Sequence, residues 1–214
     1  MKYVSDGMVV GLGTGSTADL FLQALAAALR EGRVKNVRGI PTSRQSERRA
    51  QHLGIPLTTL GESARPDVTI DGADEVDPRL DLIKGLGGAL LREKMVAQDS
   101  KKLVIIADAG KAVSKLGTKA MLPVEVVQFA HEAQAAFLCS LGATPSLRRS
   151  ADAVFVTDNG NYIYDCRFPD GIDDAADLDL KLRRRAGVVE TGLFVEMASV
   201  ALVADEERVE VRTR

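Results

Sequence analysis

Met8–Leu29, MVVGLGTGSTADLFLQALAAAL, is the stretch on which the fold turns. Its first residues form a short apolar run that ends in glycines, as a buried strand feeding a tight turn does. Leu22, Leu25, Ala26 and Leu29 then recur at the spacing of one helix face. The segment therefore reads as strand, glycine loop and helix. The same alternation continues outward: Val34–Ile40 is expected as a strand, Ser43–Leu53 as a charged helix and Asp67–Ile70 as a third strand. Leu90–Gln98 is expected as a helix and Lys102–Ala107, KLVIIA, as a central strand. Strands separated by helices predict a parallel, doubly wound α/β sheet of Rossmann-like type.

After Pro123 the pattern changes to strand (VEVVQF), helix (HEAQAAFLCSLG) and strand (TPSLR), then a hairpin turning at Asn159-Gly160, a helix (DLDLKLRRRAG) and a strand (VVETGLFV). That order predicts a second, smaller ferredoxin-like α+β domain. We place it at about 125–198, with 1–124 and 199–214 forming the larger α/β domain. The polar end, DEERVEVRTR, reads as an edge strand or a frayed tail.

The 214 residues carry 45% hydrophobic and 27% charged residues with a net charge of -2, which shows no basic surplus for a nucleic-acid partner. No apolar run approaches the roughly 20 residues that span a bilayer, so no membrane partner is expected. Cys139 and Cys166 form no C-x-x-C pair or secreted disulfide pattern, which favours reduced thiols and the cytosol. With only His52 and His131, a histidine-based zinc site or a Ser/His/Asp triad has little to draw on. Acid–base work falls to carboxylates and lysines.

Four motifs carry candidate chemistry. In GLGTGST, Gly11–Thr17, glycines allow backbone N–H groups to approach a ligand, and Thr14, Ser16 and Thr17 bring hydroxyls to a helix N-terminus that favours anions. A tight turn with a Ser or Thr N-cap is the plainer account. Ser16 stands where a dinucleotide fingerprint needs its third glycine, no acidic residue ends the second strand, and no Walker lysine follows, so NAD and ATP are disfavoured. In DGADEVD, Asp71–Asp77, Asp71 and Asp74 are placed to hold sugar hydroxyls or move protons; a solvated acidic turn is the alternative, and the spacing is not that of an EF-hand. No metal is expected.

KGLGGALLREK, Lys84–Lys94, sets Lys84 before a glycine turn and Glu93 on the helix that follows. A base and a cation suit proton abstraction beside a carbonyl, where an enediolate oxygen must be stabilised. An exposed, ion-paired Glu93 is the plainer reading. ADAGK, Ala107–Lys111, offers Lys111 to a phosphate or hydroxyl, against a plain surface lysine. Three motifs follow predicted strands, at the carboxyl ends where open α/β sheets bind small molecules. SRQSERRAQ and KLRRRAG read as solvent-facing charge.

In order and separation these motifs, with LPVEV at 122–126, VTDNGN at 156–161 and GVVETGLF at 187–194, resemble the A-type ribose-5-phosphate isomerases over nearly the whole chain. The resemblance implies a cofactor-free aldose–ketose isomerase of the pentose phosphate pathway, acting on a sugar phosphate as a homodimer or homotetramer. It puts the base on Glu93 and the ring-opening pair on Asp71 and Lys84. Substrate contacts are implied at Thr14, Gly15, Ser16 and Thr17; at Asp71, Gly72, Ala73 and Asp74; at Lys84, Gly85, Leu86 and Gly87; and at Lys111. Leu86 departs from the K-G-G-G of many members, which puts the backbone contacts of that loop in question. A non-catalytic sugar-phosphate sensor and an amino-sugar phosphate isomerase-deaminase are the competing readings. Retention of Glu93, Lys84 and Asp71 argues against the first, and the lack of a histidine-centred ring-opening site against the second.

Overall fold

The computed structural model describes residues 1–63 and 65–214. In chain order its elements are β1 (Val9–Leu12), α1 (Ser16–Arg30), β2 (Arg38–Pro41), α2 (Arg44–His52), β3 (Val68–Asp71), β4 (Glu75–Val76), β5 (Leu82–Ile83), α3 (Leu90–Asp99), β6 (Leu103–Asp108) and β7 (Leu122–Val126). Then follow α4 (Glu132–Ser140), β8 (Thr144–Leu147), β9 (Arg149–Ser150), β10 (Ala153–Val154), β11 (Tyr162–Arg167), α5 (Ala175–Arg183), β12 (Val188–Thr191), β13 (Leu193–Phe194), β14 (Val200–Ala204) and β15 (Val209–Thr213). The chain divides into two compact units, one of Met1–Gly72, Arg92–Ala109 and Met197–Arg214, the other of Ala73–Leu91 and Gly110–Glu196.

The first unit is built on a six-stranded sheet of order β15-β14-β6-β3-β1-β2. All its pairings are parallel except that of β15, which closes one edge antiparallel to β14. The polar terminus is thus an edge strand. β1 and β3 are buried along their whole length, as strands covered on both faces must be. α1 lays Phe21, Leu22, Leu25 and Ala26 into a core with Val10, Leu12, Ile70 and Val104. Gly32, at φ +68°, ends the helix in the left-handed conformation that glycine adopts freely. α2 is opened by a capping box in which Ser43 Oγ accepts from the Ser46 N–H at 2.9 Å and Ser46 Oγ accepts from the Ser43 N–H at 3.0 Å. β2 begins at Arg38 rather than at Val34, because Asn36 turns to φ +57° and interrupts the extended run.

The second unit carries a four-stranded antiparallel sheet of order β12-β7-β11-β8. Numbering those strands one to four along the chain gives 4-1-3-2, the ferredoxin-like arrangement expected from strand–helix–strand–strand–helix–strand. The expected hairpin at Asn159-Gly160 is only a turn, with Gly160 at φ +82° donating its N–H to Thr157 O at 3.0 Å, because β10 pairs with β9 while β11 pairs with β7 and β8. A three-stranded sheet, β13-β5-β4, completes the unit.

Two boundaries differ from expectation. Residues 73–91 and 110–124, assigned at first to the larger domain, lie in the second unit, since β5 pairs with β4 and β13 while β7 is an inner strand of the antiparallel sheet. The run VVETGLFV, expected as one strand, breaks at Gly192 and changes sheet. A Cβ there would lie 2.3 Å from Lys84 O, and the Gly192 O accepts the Lys84 N–H at 2.9 Å.

Cys166 lies in β11 with no exposure, and burial pushes its thiol up to about 12, whereas Cys139 is exposed. The thiolate is the reactive form. Mass spectrometry after brief iodoacetamide treatment at pH 8 is therefore expected to find Cys139 alone modified in the native protein and both cysteines modified in denaturant.

Candidate active site

In the first unit, the order of the parallel strands reverses at β1 and β3, so the loops leaving the carboxyl ends of these strands open a crevice on the sheet. The GLGTGST loop leaves β1 and Asp71 ends β3. Asp71 is 1% exposed, and its Oδ1 accepts the Thr14 N–H at 3.1 Å and the Gly72 N–H at 2.8 Å. Gly13 makes this approach possible, because a Cβ on it would lie 2.2 Å from Asp71 Oδ1 and 2.6 Å from Asp71 Cα. Gly15, at φ +105°, is the N-cap of α1 and brings no side chain to its first turn. The Ser or Thr cap considered from sequence is absent, and Gly15 and Ser16 are exposed at a helix N-terminus, which favours an anion.

Thr14 is turned inward. Its hydroxyl donates to Ser43 Oγ at 2.8 Å and lies 2.8 Å from Thr42 Oγ1, while Thr42 Oγ1 donates to Leu12 O at 3.0 Å. This hydroxyl chain ties the loop after β1 to the start of α2, and with its N–H on Asp71 Thr14 holds the loop in shape and leaves neither donor to a ligand. A cavity of about 600 Å³ adjoins the loop, lined by Gly13–Ser16 and, on α2, by Gln45, Arg48 and Arg49 among others. Arg49 Nε donates to Asp19 Oδ1 at 2.5 Å, and that guanidinium holds the Asp19 carboxyl below its ordinary range. Glu93 lies in the first turn of α3 and is 3% exposed. The exposed ion-paired glutamate is excluded by this burial.

In the second unit, Asp74 and the KGLGG turn are brought together. Asp74 N donates to Ile83 O at 2.8 Å, and Asp74 Oδ2 accepts the Leu86 N–H at 3.0 Å. Gly85 and Gly88 take φ of +103° and +81°, which side-chain-bearing residues adopt only with strain. Leu86 is not at positive φ, and its side chain is 40% exposed, so the departure from glycine costs the loop neither strain nor a backbone donor. Lys84 is 2% exposed, with Nζ 5.5 Å from the centre of the Phe194 ring. Lys111 ends a single 3-10 turn, Ala109–Lys111, and is half-buried.

Three contributors escaped the sequence reading. Glu75, inside DGADEVD, is fully buried, and its carboxylate accepts N–H bonds from Gly117 (2.5 Å), Lys119 (2.6 Å) and Ala120 (2.7 Å). Lys119 Nζ in turn donates to Gly110 O at 2.8 Å and Ala112 O at 3.3 Å, the carbonyls on either side of Lys111. The third is Arg148, which reaches the carbonyls of Gly85 and Leu86, both at 3.1 Å. An acidic motif is a weak signal for Glu75, and nothing local in sequence marks the other two.

A crevice at the strand-order reversal, a loop at a helix N-terminus and buried carboxylates are features of an α/β enzyme, and they suit a small, polar, anionic substrate. Among the described residues no group of three or more His, Cys, Asp or Glu is arranged to hold a metal ion, and no helix is long and apolar enough to cross a membrane. The sequence profile described as Ribose 5-phosphate isomerase A (phosphoriboisomerase A) matches residues 38–208. The Gloeobacter violaceus protein named ribose-5-phosphate isomerase A is 53% identical over 214 residues, covering 100% of this chain and 92% of its own. That of Desulfatibacillum aliphaticivorans is 52% identical over 95% of this chain and 89% of its own. The solved ribose 5-phosphate isomerase from Plasmodium falciparum superposes with a TM-score of 0.97 at 41% identity, covering 100% of this chain and 93% of that one. A D-ribose-5-phosphate isomerase in complex with phospho-erythronic acid gives 0.97 at 39% identity, with coverage of 100% and 93%. The chain belongs to the ribose 5-phosphate isomerase A family, and is an isomerase.

Replacing Gly13 by Ala forces the loop off Asp71 and is expected to lower stability by an amount near the top of the ~1–3 kcal/mol range of overpacked sites. Leu86→Gly is expected to change it by under about 1 kcal/mol, through the unfolded chain alone. Urea titrations of the two variants beside the parent protein check both.

Proposed function

We propose that this protein interconverts ribose 5-phosphate and ribulose 5-phosphate through an enediolate, with Glu93 as the proton carrier and no cofactor. The burial of Glu93 on the first turn of a helix that follows a glycine-rich turn carries the reading: a carboxylate withdrawn from water in that setting suits proton transfer at carbon better than a surface ion pair. Relatives about half identical over the whole chain, and named for this reaction, support it.

In the proposed course, Asp71 and Lys84 open the furanose, one taking the anomeric hydroxyl proton and the other giving a proton to the ring oxygen. Glu93 then takes the proton from C2; the C–H pair becomes the C1–C2 double bond, and negative charge passes to O1. Lys84 and loop N–H groups stabilise that charge. Glu93 returns the proton to C1, and the O2 hydroxyl proton moves to O1 as the carbonyl forms at C2. Gly15, Ser16 and Thr17 hold the phosphate by backbone N–H and hydroxyl groups, on a loop whose shape Thr14 fixes through Asp71 and Ser43. Gly72, Ala73, Asp74, Gly85, Leu86, Gly87 and Lys111 hold the sugar chain. The setting we propose is the non-oxidative pentose phosphate pathway in the cytoplasm, with the protein as a homodimer or homotetramer.

Glu93→Gln keeps the shape and removes the base, so kcat for ribose 5-phosphate is expected to fall on the order of 10²- to 10⁴-fold with the fold intact. Near-normal kcat in the folded variant overturns the assignment. EDTA treatment of the parent protein is expected to leave the rate unchanged, and loss of activity that added divalent metal restores would show the cofactor-free reading to be wrong.

A further inference from the structure

Arg148 lies just past the end of β8, about 60 residues along the chain from the glycine turn it reaches. Its guanidinium is almost fully committed. Nε donates to Asp165 Oδ2 at 2.8 Å, Nη2 donates to Asp165 Oδ1, and Nη1 donates to Gly85 O and Leu86 O, both at 3.1 Å. Four of the five N–H donors of an arginine are thereby placed in a fixed fork. Both side chains are nearly buried, at 11% exposure for Arg148 and 12% for Asp165. The Phe155 ring covers the guanidinium, its centre 5.7 Å from Cζ, and the same ring occupies the space that a Cβ on Gly88 would need, at 2.5 Å. A buried charge pair this complete is costly to assemble unless its geometry is used.

Its geometry bears on the loop's peptide planes. No peptide bond in the described chain is cis, so each carbonyl and the N–H of the following residue point in opposite directions. Holding Gly85 O and Leu86 O toward Arg148 aims the N–H groups of Leu86 and Gly87 away from it. The Leu86 N–H indeed meets Asp74 Oδ2, at 3.0 Å. The Gly85–Leu86 plane is also held by the Gly88 N–H, which donates to Gly85 O at 2.9 Å, and by Asp74. The fork therefore matters most for the Leu86–Gly87 plane, which lies next to the glycine pair ending at positive-φ Gly88.

Resting on the function proposed above, we infer that Arg148, clamped by Asp165, is a positioning residue of the isomerase: it fixes the 85–87 peptide planes so that their N–H groups face Asp74 and the enediolate oxygen. Because that charge exists only during the reaction, the effect belongs mainly in kcat, not in KM. It belongs equally in the affinity for phospho-erythronic acid, whose planar carboxylate has the shape and charge of an enediolate.

The test measures kcat and KM for ribose 5-phosphate, and inhibition by phospho-erythronic acid, in Arg148→Met, Arg148→Lys and Asp165→Asn, with circular dichroism and thermal melting as folding controls. Arg148→Met is expected to lose on the order of 10- to 100-fold in kcat, as misplacement of a donor by a fraction of an ångström does, with KM within about threefold. Inhibitor affinity falls in parallel with kcat. Arg148→Lys, a point charge without the fork, recovers only part of the loss. Asp165→Asn keeps the guanidinium and loosens its clamp, so it gives a smaller loss of the same kind and replaces Arg148→Met if that variant does not fold. Folded variants that melt earlier yet keep kcat and inhibitor affinity would reduce Arg148 to a structural part and overturn the inference. Failure of the underlying reading looks different, since Glu93→Gln would then remain active or the parent protein would not isomerise ribose 5-phosphate at all.

Discussion

Asp71 stands at the point where the first unit's strand order reverses, and the local chain is arranged around its carboxylate. Gly13 must be glycine for β1's loop to come down on it; the Thr14 and Gly72 N–H groups must point at it; Thr14 is then committed to the hydroxyl chain that fixes the start of α2. A carboxylate with 1% exposure requires partners, and two backbone donors are among them. Satisfying it in turn defines the loop at the helix N-terminus, where a phosphate is favoured. One buried charge thus sets the shape of the turn at the helix N-terminus.

The second unit uses the same device twice. Glu75 draws in three N–H groups of the segment 117–120, and Lys119 passes that order on to the carbonyls flanking Lys111. Arg148 does for the KGLGG turn, with carbonyls, what Glu75 does with N–H groups. Loops rich in glycine have many accessible conformations, and fixing one residue's backbone opposes folding by about 1–2 kcal/mol. A side chain that collects several backbone groups from one loop offsets that entropy at a single place.

The architecture was legible because it is written in local patterns. Short apolar strands, the helical spacing of Leu22, Leu25 and Ala26, and the turn at Asn159-Gly160 all reflect nearest-neighbour physics, and the parallel sheet and the ferredoxin-like module followed from them. The misplaced boundary at residues 73–91 and 110–124 reflects partners distant in sequence: β5 pairs with β13, more than 100 residues away, and nothing in the dipeptide Leu82-Ile83 announces it. Likewise VVETGLFV reads as one strand until the backbone of Lys84 crosses Gly192. The candidate site divides along the same line. Residues in glycine-rich motifs stood out, whereas Arg148, Asp165 and Lys119 lie in ordinary contexts and act through backbone atoms that no side-chain pattern records.

Leu86 shows how the two kinds of information combine. From sequence it departs from a run of glycines and puts the loop's backbone contacts in question. In the folded chain the demands on that position are an N–H for Asp74 and a carbonyl for Arg148, and every residue but proline has both. The glycines that cannot be replaced are Gly85, whose Cβ would lie 2.7 Å from that of Leu90, and Gly88, which meets the Phe155 ring. The side chain at 86 is exposed, while the turn's carbonyls are held by the Gly88 N–H and by the guanidinium. The demand at this position therefore falls on the direction of two peptide planes and not on the side chain.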